Sequence, residues 1–317
     1  LGCPKNLVDS EVLLARLGSA GFVVGAPMAE ADIIVINTCA FLTAAREESM
    51  AVIEEAIDCK RSGSARKVIV AGCLPNLNRE QLLDTISDID AIIGTTERER
   101  IVEAVTANTP QAFLPGARSF CSPDSDSGRL RLTPRHTAYL RIAEGCNRGC
   151  TFCTIPAIRG PFRSKPPADV LAEARELVDD GAIELNIIAQ ETTAYGEDTG
   201  DDLPALLRRL DGCGAAWLRL MYTHPRLFTG ELIDTMAGCR HVVPYVDIPL
   251  QHCTTPVLRR MGRGHGREHI EDILGTLGRR IPAISIRTSF IAGFPGETDE
   301  DFAELRAFVE RWRFAAV

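Results

Sequence analysis

The 317-residue sequence has no run of 18 or more apolar residues, so a membrane-spanning helix is not expected and no membrane partner is implied. It also lacks a basic excess. Its 35 Lys and Arg stand against 43 Asp and Glu, a formal charge of −8, so contact with nucleic acid would need a local basic patch. No charged leader followed by an apolar stretch opens the chain at Leu1, which points to a cytoplasmic protein trimmed at its N-terminus. Without a leader, and with 45% hydrophobic residues, the eleven cysteines do not read as the disulfide framework of a small secreted protein. Ligation of a metal or cluster explains them better. The length fits two globular domains of ordinary size.

Residues 1–110 alternate short apolar runs with helical stretches. Asp32–Asn37, Lys67–Ala71 and Ala91–Gly94 have the pattern of strands buried on both faces. Helices are expected over Ala40–Lys60, Asn78–Ile86 and Glu97–Ala107. A first helix over Glu11–Leu17 would be capped by Asp9 or Ser10 and ended by Gly18 and Gly21. The strand that should precede it is expected before Leu1. This alternation predicts an α/β fold with a doubly wound parallel sheet. Residues 111–134, with Pro115, Pro123, Pro134 and a Ser/Asp/Gly-rich stretch at 122–128, predict a linker. From 135 to 317 the alternation resumes at longer period, with strands at Thr137–Ile142, Leu185–Ala189, Trp217–Tyr222, Tyr245–Leu250 and Ser285–Ile291. Helices fall near Pro167–Asp180, Leu203–Leu210, Gly230–Ala237, Arg267–Leu277 and Asp299–Trp312. Phe314–Val317 reads as the start of a sixth strand, and five visible βα units suit a partial α/β barrel better than a flat sheet.

Two groups of cysteines carry the chemistry. Cys146, Cys150 and Cys153 follow the first strand of the second half. Three thiolates at these spacings can hold a cubane while leaving one iron without a protein ligand. A structural zinc site would want a fourth Cys or His nearby, and the loop has none. Gly145 and Gly149 would supply the backbone angles such a loop needs. Cys3, Cys39 and Cys73 are 36 and 34 residues apart, close to one βα repeat each. In a parallel sheet, loops at the carboxyl ends of strands converge where ligands bind. These three can therefore meet and hold a second cluster, or they can be buried structural thiols. Cys59, Cys121, Cys213 and Cys239 show no partnered spacing, and Cys253 stands at a strand end. The stretch Arg259–Arg267 holds four arginines, either a solvated turn or a contact for an acidic or ribosomal partner.

The loop Glu144–Cys153 (EGCNRGCTFC) resembles the signature of the radical S-adenosylmethionine (SAM) superfamily. The resemblance implies a (α/β)6 radical SAM barrel, a 4Fe–4S cluster on Cys146, Cys150 and Cys153, SAM on its open iron, and Phe152 near the adenine. Further segments resemble the methylthiotransferases of that superfamily: Leu1–Glu11 (LGCPKNLVDSE), Ile36–Phe41 (INTCAF), Ala71–Pro75 (AGCLP), Ile155–Arg163 (IPAIRGPFR), Ile188–Gly196 (IAQETTAYG) and Arg287–Thr298 (RTSFIAGFPGET). The wording CPKN and GPFRS is similar to the RimO branch, which modifies a ribosomal protein; the MiaB branch, acting on transfer RNA, typically has CQMN. The resemblance implies methylthio addition to the β-carbon of an aspartate in the twelfth small-subunit ribosomal protein. It implies two 4Fe–4S clusters, the second on Cys3, Cys39 and Cys73, and an external electron donor such as flavodoxin or ferredoxin. Gln190, Glu191, Gly293 and Gly296 lie at strand ends, where SAM contact and barrel packing both account for them. The family's small C-terminal TRAM domain, through which nucleic acid could be engaged, is expected beyond Val317, with the last barrel strand cut short.

Three rivals predict different behaviour. A transfer RNA methylthiotransferase would share the fold and clusters. A non-catalytic iron–sulfur electron carrier or redox sensor would not cleave SAM. A radical SAM enzyme with merely structural N-terminal cysteines would carry one cluster per chain.

Overall fold

The structure, a computed structural model, describes residues 2–77, 82, 88–114 and 126–317. The helix expected over 78–86 lies, apart from Leu82, outside the described residues, as does Cys121. The chain divides into two compact units. One is Leu1–Leu132 with Glu144–Cys146 and Thr154–Pro161; the other is Thr133–Ala143, Asn147–Cys153 and Phe162–Val317.

The first unit is built on a parallel sheet of Ile33–Thr38, Lys67–Gly72, Ala91–Gly94 and Gln111–Phe113, adjacent in chain order. The fourth strand is a short one that falls at the start of the stretch expected to be a linker. Alternation along the strands divides their side chains between two faces. Ile34, Ile36, Val68, Val70 and Ile92 pack with Ile53, Ala56 and Ile57 of the helix Thr43–Arg61. Ile69, Ala71, Ala91 and Ile93 pack with Leu13 and Leu17 of the helix Pro4–Ser19 and with Ile101, Ala104 and Val105 of the helix Ile101–Thr106. Helices on both faces explain the uninterrupted apolar runs, since each such side chain gains about 1.5–3 kcal/mol by leaving water.

The first helix begins at Pro4, earlier than its sequence suggested, with Cys3 at the N-cap and no side-chain cap bond. Proline at the first helical position has no N–H to leave unpaired there, and its fixed φ suits a helix start. Asp9 is instead buried within the helix, with Arg98 at 2.7 Å and Arg159 at 2.7 Å. A charged residue there reads like a cap in the sequence because its partners lie far along the chain.

The second unit holds five parallel strands in chain order: Thr137–Arg141, Glu184–Ile188, Trp217–Leu220, Val242–Asp247 and Ser285–Arg287. A sixth position begins at Ala316, bridged in parallel to Arg287. The helices Pro167–Asp179, Leu203–Leu210, Gly230–Gly238, Arg267–Arg280 and Asp299–Trp312 alternate with the strands, giving the partial α/β barrel that the repeat predicted. Side-chain caps mark three of their starts: Asp202 accepts from Ala205 N at 2.6 Å, Thr229 from Leu232 N at 3.1 Å, and Thr298 and Asp301 form a reciprocal capping box. Cys213 and Cys253 belong to the core of this unit and Cys239 packs against it. Burial pushes the Cys253 thiol up to about 11.

Candidate functional site

In the first unit the carboxyl edge of the sheet gathers the dispersed cysteines. The first two strands pair in register through Thr38 and Gly72, and the next residue on each is Cys39 or Cys73. The closeness of those strand ends requires Gly72. Its φ is +97°, and an added Cβ would lie 2.3 Å from Asn37 Oδ1 and 2.7 Å from the Thr38 carbonyl. Cys3 arrives from the helix side. Three residues on, Asn6 donates through Nδ2 to the Thr38 carbonyl at 3.1 Å, while Asn37 Nδ2 donates to the Asn6 carbonyl at 2.9 Å. Cys3 is exposed, whereas Cys39 and Cys73 are buried. Burial pushes the Cys73 thiol up to about 11; the Arg159 guanidinium opposes that shift, and Asp9 and Cys3 add to it. A thiolate there needs a cation or metal to stabilise it, and Arg159 Nη2 donates to Cys73 Sγ at 3.3 Å.

Arg159 is 3% exposed. Its Nη1 reaches Asp9 at 2.7 Å and Glu144 at 3.3 Å, both buried carboxylates. Glu144 sits two residues before Cys146, whose N–H donates to the Gly160 carbonyl at 3.2 Å. Gly145 between them has φ +76°, and a Cβ there would lie 2.2 Å from the Pro161 carbonyl, so the chain enters the cysteine loop through a cradle only glycine fits.

In the second unit the rest of that loop is pinned by backbone bonds. Cys153 N donates to Cys150 O at 3.1 Å, and Thr151 N donates to Met261 O at 3.1 Å. Gly149 does not take a left-handed conformation and has open space where a Cβ would be, contrary to expectation. The close approach is at Gly262, whose Cβ would meet the Gly149 carbonyl at 2.5 Å. Arg148, inside the loop, pairs with Glu191 at 2.5 Å and Glu197 at 2.8 Å. Burial raises the Glu191 carboxyl above the usual range, and Arg148 opposes it. Glu191 is thereby joined to the cysteine loop, and Gln190 precedes it just beyond the strand Glu184–Ile188. Phe152 is half-buried. Gly293 and Gly296 are exposed with φ +74° and +82°, and the Gly296 carbonyl accepts from Arg260 Nη2 at 2.7 Å, so the turn itself accounts for both glycines.

The four arginines between 259 and 267 do not form a common basic patch. Arg260 bonds Gly296, Arg267 bonds Glu271 and Glu304, and Arg263 is buried. Arg263 Nη1 donates to Cys150 Sγ at 3.4 Å and Nη2 to the Pro249 carbonyl at 2.8 Å. Sequence reading placed Arg263 and His265 only within an arginine-rich stretch, as a solvated turn or a partner contact, and missed His224. The His224 and His265 rings stand edge to face with centroids 5.5 Å apart, and the Nε2 atom of each is buried without a hydrogen-bond partner. Arg226 N donates to His224 Nδ1, which fixes its neutral ring as an Nε2–H donor, whereas His265 bonds a carbonyl through Nδ1 and so offers Nε2 as an acceptor. Tyr222 and Gln251, at the carboxyl ends of neighbouring strands, hold φ of 58° and 70°. Strained backbone at strand ends is a common mark of a working site, and no residue pattern announces it.

The donor sets suit iron–sulfur ligation. All ten described cysteines are free thiols, and thiolate is the ligand such clusters take. Among the described residues no three His, Cys, Asp or Glu side chains stand close enough to share one metal ion. A cubane takes one thiolate per iron corner, so it spans more than a single-ion site.

Comparison with known proteins agrees. Residues 140–309 match the radical SAM superfamily, and residues 1–94 match a family described as "Uncharacterized protein family UPF0004". The ribosomal protein uS12 methylthiotransferase RimO of Geobacter sulfurreducens is 43% identical over 99% of this chain and 71% of its own length. Its counterpart in Pelotomaculum thermopropionicum is 44% identical over 99% and 72%. Among solved structures, the radical SAM methyltransferase TsrM of Kitasatospora setae superposes with a TM-score of 0.66 at 16% identity, over 99% of this chain and 69% of that one. The cobalamin-dependent SAM radical enzyme OxsB gives 0.63 at 14% identity, over 98% and 51%. These two likenesses establish the fold. The chain belongs to the radical SAM superfamily and, within it, to the RimO methylthiotransferase family.

Proposed function

We propose that this chain adds a methylthio group to ribosomal protein uS12, at the β-carbon of an aspartate. The observation that carries this reading is the identity of more than 40% to RimO proteins across 99% of the chain, which spans both units and both sets of cysteines. Cys146, Cys150 and Cys153 would hold one 4Fe–4S cluster, and Cys3, Cys39 and Cys73 the second. When bound, these clusters and SAM supply a carbon-centred radical and a sulfur source, the chemistry needed where an unactivated C–H bond has no proton that a base could remove.

The chain's own residues supply the surroundings. Gly145 and the Gly262 turn shape the cysteine loop, Arg148 fixes Glu191 against it, and Phe152, Gln190 and Glu191 would line the SAM side. Gly293 and Gly296 would offer the backbone of their turn as a further SAM contact. The single electron would come from an external donor such as flavodoxin or ferredoxin. The compartment that fits this substrate is the cytoplasm, and no helix among the described residues is long and apolar enough to cross a membrane.

The test uses anaerobically reconstituted protein with SAM, a reductant and either uS12 or bulk transfer RNA. Mass spectrometry should find the methylthio group on the uS12 aspartate. Modification of RNA alone would assign the chain to the transfer RNA branch, and absence of deoxyadenosine would mark it as an electron carrier.

A further inference from the structure

Arg159 and Arg263 do similar things in separate units: each is almost enclosed, and each donates an N–H to a cysteine sulfur. They differ in what balances their charge. Two buried carboxylates, Asp9 and Glu144, lie against Arg159. Arg263 has instead the Pro249 carbonyl, and its Nε is buried without a hydrogen-bond partner. Among the described residues no carboxylate lies within ion-pair distance of it. The Glu191 carboxylate, which the Arg263 charge helps to stabilise, is itself bonded to Arg148.

An N–H on a ligand sulfur strengthens as electron density on that sulfur rises, and hydrogen bonds to cluster sulfurs help set the reduction potential. Burial keeps water and salt from screening the charge. We propose that Arg263 is a positioning residue that raises the reduction potential of the cluster held through Cys150, making its one-electron reduction easier. The step is the gain of one electron from an external one-electron donor by the oxidised core; no bond is made or broken and no proton moves. The proposal rests on the reading that Cys146, Cys150 and Cys153 hold a cluster.

The experiment is a redox titration of the full reconstituted chain followed by electron paramagnetic resonance, reading the signal that changes when SAM is added. Loss of that signal in Cys150→Ala checks the underlying reading independently; if the signal is unaffected, that reading fails whatever Arg263 does. With the signal assigned, Arg263→Gln should lower the reduced-to-oxidised ratio about tenfold at fixed potential, about 59 mV for a one-electron couple. Arg263→Lys, which keeps the charge, should recover most of it. A ratio unchanged in Arg263→Gln overturns the proposal. Should that variant fail to hold its cluster, unaltered protein labelled with nitrogen-15 arginine decides: a weak nitrogen coupling to the reduced cluster is expected, and its absence overturns the proposal.

Discussion

The two units bring cysteines together by opposite means. In the first, parallel pairing sets Thr38 beside Gly72 and so aligns the strand ends that carry Cys39 and Cys73, 34 positions apart. In the second, Cys150 and Cys153 share one turn, and the loop is tied to the turn after the helix Thr255–Arg260 through Thr151, which donates to the Met261 and Arg260 carbonyls. A site made by strand register is as stable as its sheet. One made by a local loop depends on a few close backbone approaches, and its neighbours in sequence are enough to identify it.

The sharpest way to break this comparison is to remove one cysteine from each set. Cys150→Ala should abolish deoxyadenosine formation altogether. Cys73→Ala should leave it in place while ending methylthio transfer, on the assignment of the radical to the close set and of sulfur to the dispersed one. In each variant the iron content should fall from about eight to about four per chain. If Cys73→Ala also ends SAM cleavage, the two sets are not separate sites and the division of labour is wrong.

A smaller but still large difference is expected from the arginines. Arg159→Leu leaves Asp9 and Glu144 buried without that cation, and breaking a buried pair by removing one partner typically costs about 3–5 kcal/mol. Arg263→Leu removes a charge that leaves no buried carboxylate behind it, so the loss should be that of one or two hydrogen bonds, about 1–3 kcal/mol. Urea unfolding read by circular dichroism measures both. Equal losses would mean that the two environments are alike after all.

These arginines also show where sequence reading runs out. The fold was legible because strands buried on both faces must be apolar throughout, as Ile33–Ile36 and Val68–Val70 are. The cysteines were legible because their spacing follows a loop or a βα repeat. Arg159 and Arg263 stand 86 and 113 positions from the sulfurs they touch, and nothing in local pattern links them. Asp9 misleads for the same reason: beside a helix start it looks like a cap, and only the folded chain brings Arg98 and Arg159 to it. The open surroundings of Gly149, set against the crowded ones of Gly145 and Gly262, likewise follow from which backbone passes close by.

The mildest test concerns acid. All six histidines fall at His136 or beyond, in the second unit, so any instability from histidine protonation should be confined there. His224 is pushed down to about 2 by burial, with Arg263, His265, Arg148 and Arg226 opposing its charge, and His265 is pushed down to about 4 by burial and Arg263. The folded state therefore refuses protons that the unfolded chain accepts near pH 6.5. Stability is full above that pH and declines as pH falls, with His224 contributing down to about 2 and His265 down to about 4. Each histidine should add a slope of up to about 1.4 kcal/mol per pH unit. Trp217 and Trp312, the sequence's two tryptophans, both lie in the second unit, so fluorescence-monitored unfolding of the cluster-free protein follows that unit alone. His224→Gln should flatten the profile between pH 6 and 4 by about one histidine's share. An unchanged slope would mean that His224 takes up its proton in the folded state, and that its buried Nε2 is reached by water.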